Sequence, residues 1–304
     1  MLAVQIPLLG SITVSSAQDG YFTTYGHEIH KGELEIALMV DHTAPSAFKR
    51  GLGQKNYLSE MPEIEYHPTS QLALEFMPEA FQEFGTGISK FTGFRFEARY
   101  RLFKDEVPLN PMIYFEYEDL DPETRFKMET SGWINPPYEE SGEEPEREKI
   151  LENRFVLSQN INNWNVALNW INEVDARTGF TAFGYSMGVQ YNLFADDEGG
   201  GEYVCPMHPE EGSVTAGKCS KCGISLISKS DKSNFWVPAS LSFELTGALG
   251  DVRKMGIVSS RQEHYFQPGI MLHLPEFNML GVGFALGLTD ASDDLLRLMW
   301  MKEF

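Results

Sequence analysis

The feature that most constrains this 304-residue chain is a period of two in polarity, repeated in segments of about ten residues as far as the last residue. Such alternation makes a strand with two unlike faces. Leu34, Ile36, Leu38 and Val40 share one face, and Glu33, Glu35 and Asp41 the other. Ile64 and Tyr66 alternate with Glu63, Glu65 and His67, and Leu72, Leu74 and Phe76 flank Glu75. In the fourth segment Phe94, Phe96, Ala98, Tyr100 and Leu102 oppose Arg95, Glu97, Arg99 and Arg101. The pattern recurs around Phe115, Phe155, Leu168, Met187, Leu241, Ile270, Phe284 and Leu298, which makes twelve segments.

A soluble β-sandwich or lipocalin-like barrel would have to wet those charges. A transmembrane antiparallel barrel turns the apolar faces to lipid and the charged faces to its lumen, and an even strand number suits it. The sequence therefore predicts an all-β chain, a transmembrane barrel of about twelve strands. Trp164 and Trp170 bracket one apolar face as an interfacial aromatic girdle would. The last segment, with Leu296, Leu298, Trp300 and terminal Phe304, resembles the C-terminal signal of bacterial outer-membrane barrels, with Lys302 as one interruption.

Connection lengths support the same reading. The odd connections, 43–59, 81–90, 119–149, 172–179 and 247–263, are long, and the even ones, such as His67–Gln71 and Asn160–Asn163, are short. Long extracellular loops alternating with short periplasmic turns are the rule for such barrels, so both termini are expected in the periplasm. The even connection between the eighth and ninth segments breaks the rule.

That connection holds all three cysteines of the chain. Cys205-x2-His208 and Cys219-x2-Cys222 are two close pairs, the arrangement that closes a tetrahedral shell around one thiophilic ion, Zn or Cu. A disulfide plus a spare thiol is the alternative. Asp196–Gly201 and Ser228–Asn234 flank the pairs as polar tethers. The expected organisation is a signal peptide over 1–17, barrel strands one to eight over 18–195, an inserted zinc-ribbon-like module over 196–234, and strands nine to twelve over 235–304.

The run Cys-Pro-Met-His-Pro at 205–209, followed by Gly217-Lys218-Cys219-x-Lys221-Cys222-Gly223-x-x-Leu226, resembles the heavy-metal-binding domain attached to copper and silver efflux adaptors and to some copper-translocating ATPases. The resemblance implies metal binding. Ile224 stands where that family usually has Met, which removes one thioether donor.

Composition removes several classes. With 44 acidic against 24 basic residues the chain carries −20, which argues against a nucleic-acid partner. No cysteine lies outside the module, so a disulfide framework is excluded, and no run of 18 apolar residues offers a transmembrane helix. Ser15-Ser16-Ala17 forms a small-x-small cleavage pattern after an apolar start that lacks a basic region; an N-terminal strand is the alternative.

The inward set Glu33, Glu35, Glu63, Glu65, Glu75, Glu97, Glu116, Glu118, Glu152 and Glu244 with Arg95, Arg99, Arg101, Arg154 and Arg297 fits either a selective pore or ion pairs that close it. The acidic stretch Glu139–Glu148 reads as a solvated loop or a cation-attracting one. His27 and His30, beside Glu28, read as turn residues or as a second metal contact, and inward Met299 and Met301 as gap-fillers or, more remotely, a copper path. A lipase would need a serine and histidine at the outer rim, and the scattered histidines offer no such motif, so no enzyme is expected. The expected role is transport or homeostasis of a thiophilic metal, in contact with the outer-membrane bilayer. The alternative is a membrane anchor whose zinc-stabilised module docks a periplasmic protein.

Overall fold

The computed structural model describes residues 20–44, 56–84, 86–121, 130–134, 147–193, 203–204, 212–213, 217–218, 226–228, 237–274 and 278–304. The expected signal peptide over 1–17 and the acidic stretch 139–146 lie outside the described residues.

Twelve antiparallel strands close into a barrel. They are β1 (Leu34–Ala44), β2 (Tyr57–Tyr66), β3 (Leu72–Glu83), β4 (Ser89–Arg101), β5 (Met112–Leu120), β6 (Glu148–Ile161), β7 (Trp164–Asp175), β8 (Thr181–Asn192), β12 (Val237–Asp251), β13 (His264–Leu274), β14 (Asn278–Gly287) and β15 (Asp294–Glu303). Three two-residue strands, β9 (Tyr203–Val204), β10 (Gly212–Ser213) and β11 (Ile227–Ser228), form a separate sheet inserted between β8 and β12.

Burial is inverted relative to a soluble protein. Ile64, Phe155 and Trp164 are 54%, 45% and 46% exposed, whereas Glu97 and Glu118 are 0% and 1% exposed. Period-two alternation places the apolar set on the outer surface and the charged set in the lumen, as the sequence pattern predicts. Trp164 packs on Tyr191 with ring centroids 4.7 Å apart, and Trp170 on Phe183 at 6.0 Å, so aromatic pairs stand at both ends of the outer face of β7.

The strands outrun the sequence reading. β12 continues to Asp251 and β6 starts at Glu148, so the connections expected at 247–263 and 119–149 shrink to 252–263 and 121–147. Past the apolar band both faces carry polar residues, and the alternation fades while the backbone ladder continues. The longest of these connections, 45–56, 121–147 and 252–263, share one end, but 84–88 and 176–180 at that end are no longer than 67–71. One end of the barrel carries the connections 67–71, 102–111, 162–163 and 275–277 together with the last residues of β15, and the 193–236 insertion leaves from that same end.

Closure joins the first strand to the last. β1 pairs β15 from Glu35↔Glu303 to Ala44↔Asp294, with Asp41 directly opposite Arg297. The Arg297 Nε and Nη2 donate to the two Asp41 carboxylate oxygens at 2.7 and 2.6 Å, and both side chains are buried. This bidentate pair staples the seam. Replacing Asp41 by Ala leaves a buried guanidinium without its carboxylate and is expected to cost about 3–5 kcal/mol. Tryptophan-fluorescence unfolding in urea, in detergent micelles, measures the loss.

Candidate functional site

The lumen is not an empty channel. Gly20 to Lys31, ahead of β1, folds up inside it, with Tyr21, Phe22, Thr24, His27 and Ile29 all buried. From the end that bears the short connections, the segment reaches the middle of the barrel at Phe22–Tyr25. It then turns back, so that the Tyr21 hydroxyl donates to Asn165 Oδ1 at 2.9 Å near the start of β7. Buried backbone must find partners, and here the wall supplies them. Glu244 on β12 accepts three successive amides, from Phe22 at 2.7 Å, Thr23 at 2.9 Å and Thr24 at 2.7 Å. Asn169 on β7 pairs with both amide and carbonyl of Tyr25, at 2.7 and 3.0 Å. Arg154 donates to the Thr23 carbonyl at 2.8 Å, and Arg297 to that of Phe22.

Shape fits as well as polarity. The Phe22 ring lies over Gly269, Gly281 and Gly283, where an added Cβ would sit 2.3, 3.0 and 3.1 Å from it. Tyr25 packs against Tyr114 with ring centroids 4.6 Å apart and the planes tilted by 48°, and the Arg154 guanidinium lies 4.9 Å from each ring.

The sequence-predicted charges do face inward, but their pairs run around the wall rather than across the lumen. Arg95 on β4 meets Glu79 on β3 at 3.2 Å, Glu116 on β5 at 2.9 Å, and Glu118. Arg99 meets Glu97 at 2.9 Å and also Glu65, and Arg154 meets Glu152. From the far end a piece of the β5–β6 connection folds inward. Ser131 bridges to Gly184 on β8, whose added Cβ would fall 1.7 Å from the Thr130 carbonyl oxygen. Between plug, wall and Thr130 remains a cavity of about 170 Å³. Neither lumen reading describes the structure whole, because the pairs do not cross the lumen and, among the described residues, it is the plug that fills its middle.

The histidines ahead of β1 do not form a metal site. No group of three or more His, Cys, Asp or Glu side chains placed to hold an ion occurs among the described residues. His27 is fully buried, with Nδ1 against the Ser158 hydroxyl and Nε2 3.3 Å from Glu106. Serine, histidine and carboxylate are thus in line. Ser158 is itself buried and neither it nor His27 lines the cavity, so the trio anchors the plug and corrects the reading of His27 as a turn residue. His30 lies 3.9 Å from Glu28.

His67, just past β2, holds the point where the plug becomes β1. Its Nδ1 is 3.2 Å from Glu33 and 3.1 Å from the His30 carbonyl oxygen, its Nε2 meets Glu65, and its backbone carbonyl accepts from Gly32 at 2.8 Å. Burial disfavours the imidazolium, but the hydrogen bonds to Glu33 and Glu65 outweigh it and raise the pKa to about 9.

Of the inserted module, the described part is a three-stranded sheet with β9 at its centre, Val204 pairing with both Gly212 and Ile227. The Leu226 amide donates to the Gly217 carbonyl at 2.7 Å and so ties together the ends of the stretch that carries two of the cysteines. Cys205, His208, Cys219 and Cys222 themselves lie outside the described residues.

Sequence reasoning missed the plug, because Gly20–Lys31 lacks alternation. The signal that could have found it is the row of small inward residues, Gly269, Gly281 and Gly283, which leaves room inside the wall for another chain segment.

Residues 202–228 match the family described as the heavy metal binding domain. No curated protein matches the chain. Solved structures similar to it include an outer membrane channel from Pseudomonas putida F1, at TM-score 0.46 and 11% identity over 91% of this chain and 98% of that one. KdgM porin in complex with disordered oligogalacturonate gives TM-score 0.44 and 8% identity over 90% and 99%. A BenF-like porin from Pseudomonas fluorescens Pf-5 gives TM-score 0.34 and 8% identity over 92% and 100%.

Two outcomes follow from the plug and its hinge. Glu244→Ala removes the acceptor of three buried amides and is expected to free the segment, seen as higher single-channel conductance and as a mobile spin label at position 23. Unchanged conductance and a rigid label would assign the hold to other contacts. For His67, a pKa raised from 6.5 to about 9 means that its contribution is complete below pH 6.5 and is lost as pH rises through about 9. Unfolding free energy is expected to drop over that window by on the order of 1–3 kcal/mol, and the drop to vanish in His67→Gln, in urea titrations at several pH values.

Proposed function

We propose that this chain is an outer-membrane β-barrel that handles thiophilic heavy-metal ions, with the 202–228 module capturing or sensing the ion and the barrel giving it passage or anchorage. The observation that carries the reading is the heavy metal binding domain match over a connection that holds three thiols and an imidazole. Cys205, His208, Cys219 and Cys222 are the donors. Three soft thiolates with one imidazole fit a tetrahedral Zn(II) or a thiophilic Cu(I), and a four-donor shell leaves no open position for hydrolysis, so the role is non-enzymatic. The bound ion would neutralise the thiolates and hold together a short module with little apolar core of its own.

The outer membrane is supported by a closed barrel with a lipid-compatible exterior, since closure alone satisfies every backbone group in hydrocarbon. The module leaves from the end with the short connections, which in such barrels faces the periplasm. That would set its ligands beside the end from which the plug enters.

A second reading is favoured by the plug. A lumen filled by Gly20–Lys31 suits an anchor whose zinc-stabilised module docks a periplasmic protein. Metal content separates the two. Protein purified from membranes is expected to carry Cu or Zn by elemental analysis, and the Cys219→Ser variant one ion per chain fewer than wild type. Copper favours handling and zinc the docking module, and metal-free wild-type protein would refute both.

A further inference from the structure

The inner wall carries methionines chiefly on β13, β14, β15, β1 and β2, interspersed there with charged groups such as Glu35, Glu63 and Arg297. Met39, Met61, Met77, Met299 and Met301 all line the central cavity. Met271 and Met279 continue the group beneath Phe22.

The register makes this more than a composition effect. Met39 stands directly opposite Met61 on one side and Met299 on the other, so three adjacent strands place methionine in one row. Met301 is opposite Met279 two residues further along. Directly opposed residues have Cβ atoms about 4.5–5.5 Å apart, and the flexible arm of Met lets neighbouring sulfurs swing toward a common point. Gap-filling is the ordinary use of Met, and Met299 and Met301 do pack with Phe22, but all five methionines also border the void. The same cavity is lined by eight glutamates against four arginines, an excess of negative charge that raises the local concentration of cations.

We propose that the Met39–Met61–Met299 row is a lumenal binding site for a soft monovalent cation, Cu(I) or Ag(I), with Met301 and Met77 at its margins. Thioethers select soft ions over Ca(II), Mg(II) and Mn(II). Unlike thiols they have no proton to lose on binding and cannot be captured as disulfides. Glu63, two residues along β2 from Met61, adds a carboxylate to the cavity lining and balances the charge of the ion. The site stands without the module and places a second, sulfur-only station inside the barrel.

The test removes the module's thiols first. Full-length Cys205→Ser/Cys219→Ser/Cys222→Ser protein, labelled with [methyl-13C]methionine, is titrated anaerobically with Cu(I) against bicinchoninate. One Cu(I) is expected to remain bound, with an X-ray absorption shell containing sulfur and shifted methyl resonances for Met39, Met61 and Met299. Each Met→Leu change, close to neutral in volume, is expected to weaken binding more than about tenfold, at least what loss of an indirect ligand support costs. Unchanged heat-shifted electrophoretic mobility shows that the barrel is intact. Complete loss of Cu(I) from the cysteine-free protein would overturn the proposal, as would equal affinity in the triple Leu variant or a shell of nitrogen and oxygen alone. None of these results bears on metal binding by the intact module, which the Cys219→Ser comparison reads separately.

Discussion

Every backbone amide and carbonyl that faces hydrocarbon must be satisfied within the protein, and the rest of this structure depends on that demand. A ladder that closes from β1 to β15 meets it. Closure then dictates the side chains, because alternate residues must point to lipid or to the interior. Twelve strands enclose more space than small side chains fill. The remainder has to be occupied by long polar side chains, by water or by another stretch of chain. Among the described residues this protein uses the first and the third for much of it, and the plug narrows what would otherwise be an open lumen.

The stopper raises its own difficulty. Gly20–Lys31 is irregular backbone, and burying it requires a partner for each polar group. Carboxylates are well suited, since one group can accept several amides and becomes a stronger acceptor when ionised. Glu244 does this for three successive amides, while Arg154 and Arg297 serve the carbonyls of Thr23 and Phe22. Arg297 also holds Asp41 across the seam. The charges that keep the barrel shut around its circumference therefore also hold the segment within it. A buried ion pair by itself is weak evidence of stability, and its second role explains why arginine stands at these positions better than a bulky apolar residue would.

The wall was readable in the sequence because alternation is a local property, and every strand from Leu34 to Trp300 states its two faces within ten residues. The inward glutamates and arginines could be named individually for the same reason. Their partners could not, since Arg95 meeting Glu79, Glu116 and Glu118 depends on the register of three strands. The plug was illegible for a related reason. Its partners lie far off in sequence on many strands, such as Glu97, 72 residues from Tyr25, and Glu244, 222 residues from Phe22, and its own residues show no period. Strand ends were misjudged where polar residues occupy both faces. The candidate metal ligands stand apart: Cys205, His208, Cys219 and Cys222 are singled out by spacing alone, and all four lie outside the described residues.

Plug and register together place groups of different hardness in the interior. Arginines and carboxylates on β3 to β6 hold one another and interact with Tyr25 of the plug. Thioethers on β13 to β2 pack beneath Phe22 and border the void. One cavity is thus lined both by carboxylates that guanidinium groups offset only in part and by soft groups that carry no charge. An ion entering it would be sorted by polarisability more than by charge. A hard cation would compete with guanidinium groups for several of those carboxylates, while a soft one would meet sulfur without that competition. If the methionine row holds a soft cation as proposed, discrimination among cations would reside in which side chains the ion meets and would not require the plug to move.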